Sequence, residues 1–174
     1  NGNEYMETML GAFKARVAPF NVNYRYVAEE LQYLLSDSNA AACVIHSRFA
    51  PLLTEIISGL PNLRVILQVP DASDNPLMDG AVWYEDALSR SSTDKPAAGY
   101  HGDDLYILYT GGTTGLPKGV MWDQAALWGL MNPGVEPAQI HDVAALTADL
   151  KAGVGRRKAL ILPPLMHGTG LIVA

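Results

Sequence analysis

The sequence predicts an α/β fold: a mainly parallel sheet flanked by helices. Stretches with apolar residues at helical spacing alternate with runs of about five residues that are apolar throughout, as Val65-Ile66-Leu67-Gln68-Val69 nearly is. Strands buried on both faces belong to parallel sheets covered by helices on both sides. A chain of 174 residues is long enough for one real core, since a compact domain of this size buries roughly 70% of its unfolded surface.

The elements follow in order. Tyr5, Met6, Met9, Leu10 and Phe13 share one helical face, and Arg16-Val17-Ala18-Pro19 reads as a strand closed by proline. Val27, Leu31, Leu34 and Leu35 have the spacing of a core-facing helix, which Ser36-Asp37-Ser38-Asn39 ends before a strand over Ala41 to Ile45. Phe49, Leu52, Leu53, Ile56 and Ile57 form a third stripe, stopped by Gly59 and Pro61 ahead of the strand Val65 to Val69. Residues Asp71 to Asp79 are loop-like in composition, a short helix spans Tyr84 to Ser89, and Arg90 to Pro96 is a polar linker with no domain boundary. Leu105 to Tyr109 is the next strand, Val120-Met121-Trp122 another, and Asp123 is placed to cap a helix through Leu127 to Met131. Residues 134–158 read as a polar insertion with a helix from Ile140 to Lys151, and Ala159 to Leu162 as a last strand.

Composition narrows the function classes. Hydrophobic residues make up 49% and charged residues 17%, which is globular rather than disordered composition. A formal net charge of -6 gives no general attraction to nucleic acid or anionic lipid, so a phosphate ligand needs a local site. No apolar run is long enough to span a bilayer and no secretory pattern is present, so no integral membrane segment is expected. The single Cys43 cannot form an intramolecular disulfide and sits in the apolar run Ala40 to Ile45; it reads as an inert thiol in a reducing, cytoplasmic compartment. The chain begins without Met and stops within the apolar run Gly170 to Ala174, so a piece of a larger protein is expected.

The chemistry concentrates in Tyr109-Thr110-Gly111-Gly112-Thr113-Thr114-Gly115-Leu116-Pro117-Lys118-Gly119. Gly111, Gly112 and Gly115 let backbone amides turn toward one small volume, and Thr110, Thr113 and Thr114 add hydroxyl donors. Lys118 supplies a compact positive charge beside them, which completes a set suited to a polyphosphate. A mobile turn is the plain alternative for the glycines alone. A Walker A loop requires Gly before the Lys, Ser or Thr after it, and then a helix, whereas here Pro117 precedes Lys118, Gly119 follows it, and the next residues are strand-like.

The segment from Tyr109 to Val120 resembles the signature loop of the adenylate-forming superfamily, which includes acyl-CoA synthetases, peptide-synthetase adenylation domains and luciferases. A second motif of that family resembles Pro164-Leu165-Met166-His167-Gly168-Thr169-Gly170, and Gly11-Ala12-Phe13, Ala18-Pro19-Phe20-Asn21, Glu30-Leu31 and Leu34 are similar to its helix-strand-helix opening. Many members carry Ser at the position of Gly111; glycine keeps the backbone donor, so a modest effect is expected.

The resemblance implies a reaction in two halves. A carboxylic acid attacks the ATP α-phosphate to give an acyl-adenylate and pyrophosphate, and a thiol, commonly that of CoA, then takes the acyl group. It further implies that Thr110, Gly111, Gly112, Thr113, Thr114, Gly115 and Lys118 hold the β- and γ-phosphates, with Mg²⁺ bridging phosphate oxygens and no protein metal ligand assigned. Thr114 and Lys118 take catalytic roles in this reading. His167, with Gly168, matches the acyl and thioester region, although from the residues alone a packed helix-start histidine is an equal reading. His46, His101 and His141 show no metal-ligand spacing, and Lys151, Arg156, Arg157 and Lys158 read as a solvated face rather than a CoA-phosphate site.

The 134–158 insertion and the Val17 to Tyr26 segment look most similar to fatty-acyl-CoA ligases. Loading of a carrier protein instead of CoA, and a non-catalytic ATP-binding domain, are the alternatives. The family's aromatic-Gly-x-Thr-Glu segment, its ribose-binding Asp, its hinge and its C-terminal lid with a catalytic Lys are not found here. Residues 1–174 are therefore expected to be part of an N-terminal AMP-binding domain that does not turn over by itself.

Overall fold

The structure is a computed structural model that describes residues 2–94, 96, 97, 99, 101–110, 115–131, 147, 148 and 151–153. Its elements run α1 (Asn3–Lys14), α2 (Ala28–Asp37), β1 (Ala42–His46), α3 (Ala50–Ile56), β2 (Val65–Val69), β3 (Val82–Trp83), α4 (Tyr84–Ser89), β4 (Leu105–Thr110), β5 (Lys118–Asp123) and α5 (Gln124–Met131). The expected strand Ala159 to Leu162 and most of the expected helix Ile140 to Lys151 lie outside the described residues.

The strands form two groups. β1, β2 and β3 make a parallel sheet in that order, with Cys43 opposite Ile66 and Leu67 opposite Val82. Helices flank it, and the stripes read from the sequence meet in one core: Leu31 and Leu35 of α2 against Leu53 and Ile56 of α3, over Ile66 of β2. Leu53 is fully buried. The strand expectations for β1 and β2 hold to within a residue; β3, two residues long, gives no periodic signal to read.

Gln68 is the polar exception within β2 and is fully buried. Its amide donates to the Ser47 hydroxyl at 3.0 Å and the Pro76 carbonyl at 2.9 Å, and its oxygen accepts the Met78 amide at 2.9 Å. The loop at Asp71 to Asp79 is thus tied from beneath, which satisfies the burial cost of the glutamine. Cys43 is packed against the core, and burial pushes its thiol up to about 12.

The run Arg16 to Pro19 is not a strand. Arg16 sits in the left-handed region at φ 59, where the Val17 amide reaches back to the Ala12 carbonyl at 2.9 Å and the Arg16 amide to Phe13 at 3.1 Å. This double closure ends α1 in a Schellman motif despite the non-glycine residue. The Arg16 guanidinium meets the Asp104 carboxylate at 2.8 Å, so one residue stops the helix and tethers it beside the start of β4. Further on, Phe20 makes a single parallel bridge to Ile107, whose amide donates to the Pro19 carbonyl at 3.0 Å. α2 closes the same way at Asn39, φ 52, a residue that tolerates this conformation.

The second group is an antiparallel pair: β4 and β5 align Leu105 with Asp123, Tyr109 with Gly119 and Thr110 with Lys118. The sequence places β4 in line with the parallel sheet; the structure instead pairs it with β5, because residues 111–117 are too few for a parallel crossover. Tyr106 is buried at the centre of the pair. Its ring meets that of Phe13 edge-on at 6.3 Å and its hydroxyl accepts from the Asn21 amide at 3.2 Å. The Tyr5 hydroxyl donates to Asn21 in turn, which links α1 to the pair. Asp123 caps α5 as expected, accepting the Ala126 amide at 2.6 Å.

Gly119 is required by its neighbour. A Cβ there would lie 3.1 Å from both the Ile107 Cγ2 and the Tyr109 ring. That ring is held in place on two sides: Phe20 packs on it at 5.8 Å and Asp37 accepts a hydrogen bond from its hydroxyl at 2.7 Å.

Two outcomes check this packing. Gly119→Ala is expected to cost about 1–3 kcal/mol in urea unfolding of the complete protein; an unchanged midpoint would mean that the Tyr109 ring has room. Cys43, partly buried and kept protonated, is expected to react with a thiol dye more slowly in the folded than in the denatured protein near pH ~8, and equal rates would contradict its packing against the core.

Candidate active site

The turn between β4 and β5 is where the chemistry-bearing residues gather. Thr110 is the last residue of β4 and Lys118 the first of β5, and both are exposed. They stand directly opposite in the ladder. Cross-strand partners lie about 4.5–5.5 Å apart at Cβ and on one face, so the register puts a hydroxyl and an ammonium side by side at the mouth of the turn. Gly115 is also exposed, and a Cβ built on it would touch nothing within 4 Å. Of the residues singled out in the sequence, Thr110, Gly115 and Lys118 are described. Gly111, Gly112, Thr113, Thr114, His167 and Gly168 lie outside the described residues.

Two bonds from α2 reach the two ends of this turn. Tyr109, at its N-terminal side, donates its hydroxyl to the Asp37 carboxylate at 2.7 Å. Pro117, at its C-terminal side, accepts the Tyr33 hydroxyl through its carbonyl at 3.2 Å. Burial first, and then the bond to Asp37 and its negative charge, push the Tyr109 phenol above its ordinary value, so it stays a neutral donor. Sequence reasoning missed Tyr33 and Asp37. Their only advance signal was a spacing of four residues on one helix, which puts both on the same face.

The chain after Lys118 is a strand and not a helix. A helix N-terminus, the usual source of converging amides in a Walker A loop, is therefore absent on this side of the turn. Among the described residues, the Thr110 hydroxyl and Lys118 are side-chain donors at this turn. This set suits anionic oxygens, and the turn lies on the antiparallel pair rather than at the carboxyl edge of the three-stranded sheet.

The remaining ionisable groups are elsewhere. His46 lies 3.9 Å from Asp71 and His101 3.2 Å from Asp103, both away from the turn in sequence and partnership. The Ser73 hydroxyl, followed by the Arg48 backbone amide, holds the Asp71 carboxyl down at about 2. Among the described residues no group of three or more His, Cys, Asp or Glu is arranged to hold a metal ion. Among them, too, no helix is long and apolar enough to cross a membrane. Lys151 is exposed, while Arg156, Arg157, Lys158 and His141 lie outside the described residues.

Comparison with known proteins bears on the whole chain. It is 51% identical over 175 aligned residues to the medium-chain acyl-CoA ligase Mig of Mycobacterium avium, covering 97% of this chain and 31% of that protein. It is 35% identical to the 3-oxocholest-4-en-26-oate–CoA ligase of Rhodococcus rhodochrous, again over 97% of this chain and 31% of the relative. The chain thus spans about a third of the length of these curated relatives. Its fold superposes on the anthranilate CoA ligase AuaEII, solved in complex with anthranoyl-AMP, with a TM-score of 0.65 and 27% identity over 75% of this chain and 26% of that one. The AMP-binding enzyme family matches residues 1–174 from end to end. A glycine-rich turn closed by Thr110 and Lys118 in an antiparallel pair, together with these likenesses along its length, shows that the chain belongs to the AMP-binding enzyme family.

Proposed function

We propose that the complete protein carrying this chain is an ATP-dependent acyl-CoA ligase, with residues 1–174 forming part of its N-terminal nucleotide-binding domain and a C-terminal lid supplied by further sequence. The observation that carries the reading is the strand-turn-strand placement of Thr110 opposite Lys118 around a Gly-Gly-Thr-Thr-Gly turn. That register sets one hydroxyl opposite one cation, and the composition of the connection between them adds amides and hydroxyls suited to a polyphosphate.

In the first half-reaction an oxygen of the carboxylate forms a bond to the ATP α-phosphorus, and the bond from that phosphorus to the α,β-bridging oxygen breaks, releasing pyrophosphate. Thr110, Gly111, Gly112, Thr113, Thr114 and Gly115 hold the β- and γ-phosphates. Lys118 and Thr114 stabilise the charge that accumulates on the leaving pyrophosphate, and are the residues assigned to catalysis. Mg²⁺, held by the phosphate oxygens of the nucleotide with no protein ligand assigned, would supply charge neutralisation there, the usual mode for this ion in nucleotide sites. In the second half-reaction the CoA sulfur bonds to the acyl carbon and AMP leaves. His167 and Gly168 are the residues assigned to the acyl side of that step.

Two relatives indicate the acid. One is named for medium-chain acids and the other for a sterol-derived acid. An aliphatic carboxylic acid of medium length is the proposed substrate, and the higher identity to the medium-chain enzyme supports it over a sterol acid. The same reading places the protein in the cytoplasm, with ATP and CoA.

The test is acid-dependent exchange between pyrophosphate and ATP by the complete protein, over short, medium, long and sterol-like acids. Exchange is expected only with an acid, best with medium-chain ones, and Lys118→Ala and Thr114→Ala are expected to lower it at least tenfold, about 1.4 kcal/mol of transition-state stabilisation. Failure of every acid to support exchange would refute the proposal.

A further inference from the structure

The structure shows a device at the turn that the reaction scheme does not use. α2 is anchored in the core by Leu31, Leu34 and Leu35. From the side of the helix one turn apart, Tyr33 reaches the carbonyl of Pro117 and Asp37 reaches the hydroxyl of Tyr109. These two contacts fall on opposite ends of the same turn, immediately before Lys118 and immediately before Thr110. We propose that Tyr33 and Asp37 are positioning residues that clamp the two stems of the phosphate-binding turn to α2 and so set where Lys118 and Thr110 point. This rests on the ligase reading above.

The physical reason is local rigidity. The Pro117 ring fixes its own φ, and the peptide that follows is planar. Holding the Pro117 carbonyl orients the Pro117–Lys118 peptide, and the ladder pairing of Lys118 with Thr110 then fixes the direction in which the Lys118 side chain leaves the backbone. At the other stem, Tyr109 is held on three sides: by Asp37 at its hydroxyl, by the Phe20 ring at 5.8 Å, and by the backbone of Gly119 across the ladder. The Thr110 backbone is continuous with it. A cation and a hydroxyl placed this way need little reorganisation when phosphate oxygens arrive, and preorganised donors are the ones that stabilise a developing charge.

Packing alone would also account for two hydrogen bonds, so the test must separate positioning from stability. In the complete protein, pyrophosphate-ATP exchange is measured for Tyr33→Phe, Asp37→Ala, Asp37→Asn, Lys118→Ala and the Tyr33→Phe/Lys118→Ala pair, varying ATP and acid separately. Tyr33→Phe removes one oxygen and is the variant least able to disturb folding; circular dichroism confirms the fold of each. Each of Tyr33→Phe and Asp37→Ala is expected to lower kcat/KM for ATP roughly threefold to tenfold, the range one net hydrogen bond gives. KM for the acid stays unchanged, and Asp37→Asn, which keeps an acceptor for Tyr109, restores most of the loss. In the Lys118→Ala background the effect of Tyr33→Phe is expected to vanish, because the group it positions is gone.

Folded variants with wild-type ATP parameters would overturn the clamp. So would an equal loss for ATP and acid, or losses from Tyr33→Phe and Lys118→Ala that simply multiply. These results leave the ligase reading standing as long as the unmutated protein shows acid-dependent exchange. If the unmutated protein shows none, the ligase reading falls and takes the clamp with it.

Discussion

The antiparallel pairing of Leu105–Thr110 with Lys118–Asp123 is the constraint from which the rest of the site follows. It sets the distance the Gly-rich connection must span, and it fixes by register which two side chains face each other at the mouth. A slip of one residue would send every side chain of β5 to the opposite face and separate Lys118 from Thr110. Gly119 secures the register because the Tyr109 ring occupies the space a side chain would need. The buried Tyr106, bonded to Asn21 and packed on Phe13, then fixes the pair against α1. The placement of the turn thus depends on an aromatic residue several positions before it.

Much of the fold was legible because its signals are local. The stripe Leu31, Leu34, Leu35 and the apolar run Val65 to Val69 state their own periodicity, and both elements form where those patterns lie. Tyr84 to Ser89 and the cap at Asp123 are equally local. Arg16 misleads a pattern reading, since the apolar residues after it suggest a strand while its left-handed backbone and its bond to Asp104, 88 residues away, define a helix stop. Which strand β4 joins is likewise a tertiary fact. Its apolar sequence fits a parallel sheet, and only the brevity of the segment up to Lys118 argues for a hairpin.

The site divides along the same line. Thr110, Gly115 and Lys118 stand out in the sequence as candidates because donors of those types in close sequence suit a polyphosphate, and the ladder brings the first and last of them face to face. Tyr33 and Asp37 were not, because a phenol and a carboxylate on a surface helix carry no chemical signature until the turn is seen beside them. The division has a physical cause. Groups that touch a ligand are selected by chemistry and tend to cluster in sequence, whereas groups that hold them in place are selected by geometry and come from wherever the fold puts a rigid element.

A turn framed by two strands also differs in electrostatics from one that opens a helix. It has no aligned peptide dipoles behind it, so the fixed charge of Lys118 must do more of the neutralisation. In the proposed reaction the pyrophosphate leaves toward this localised cation, and the proposal stands on cleavage at the α-phosphorus. The measurement that tests it most directly is the identity of the nucleotide product when the complete protein is supplied with ATP, Mg²⁺, CoA and a medium-chain acid. Stoichiometric AMP and pyrophosphate with acyl-CoA is the predicted result; ADP and inorganic phosphate would contradict it.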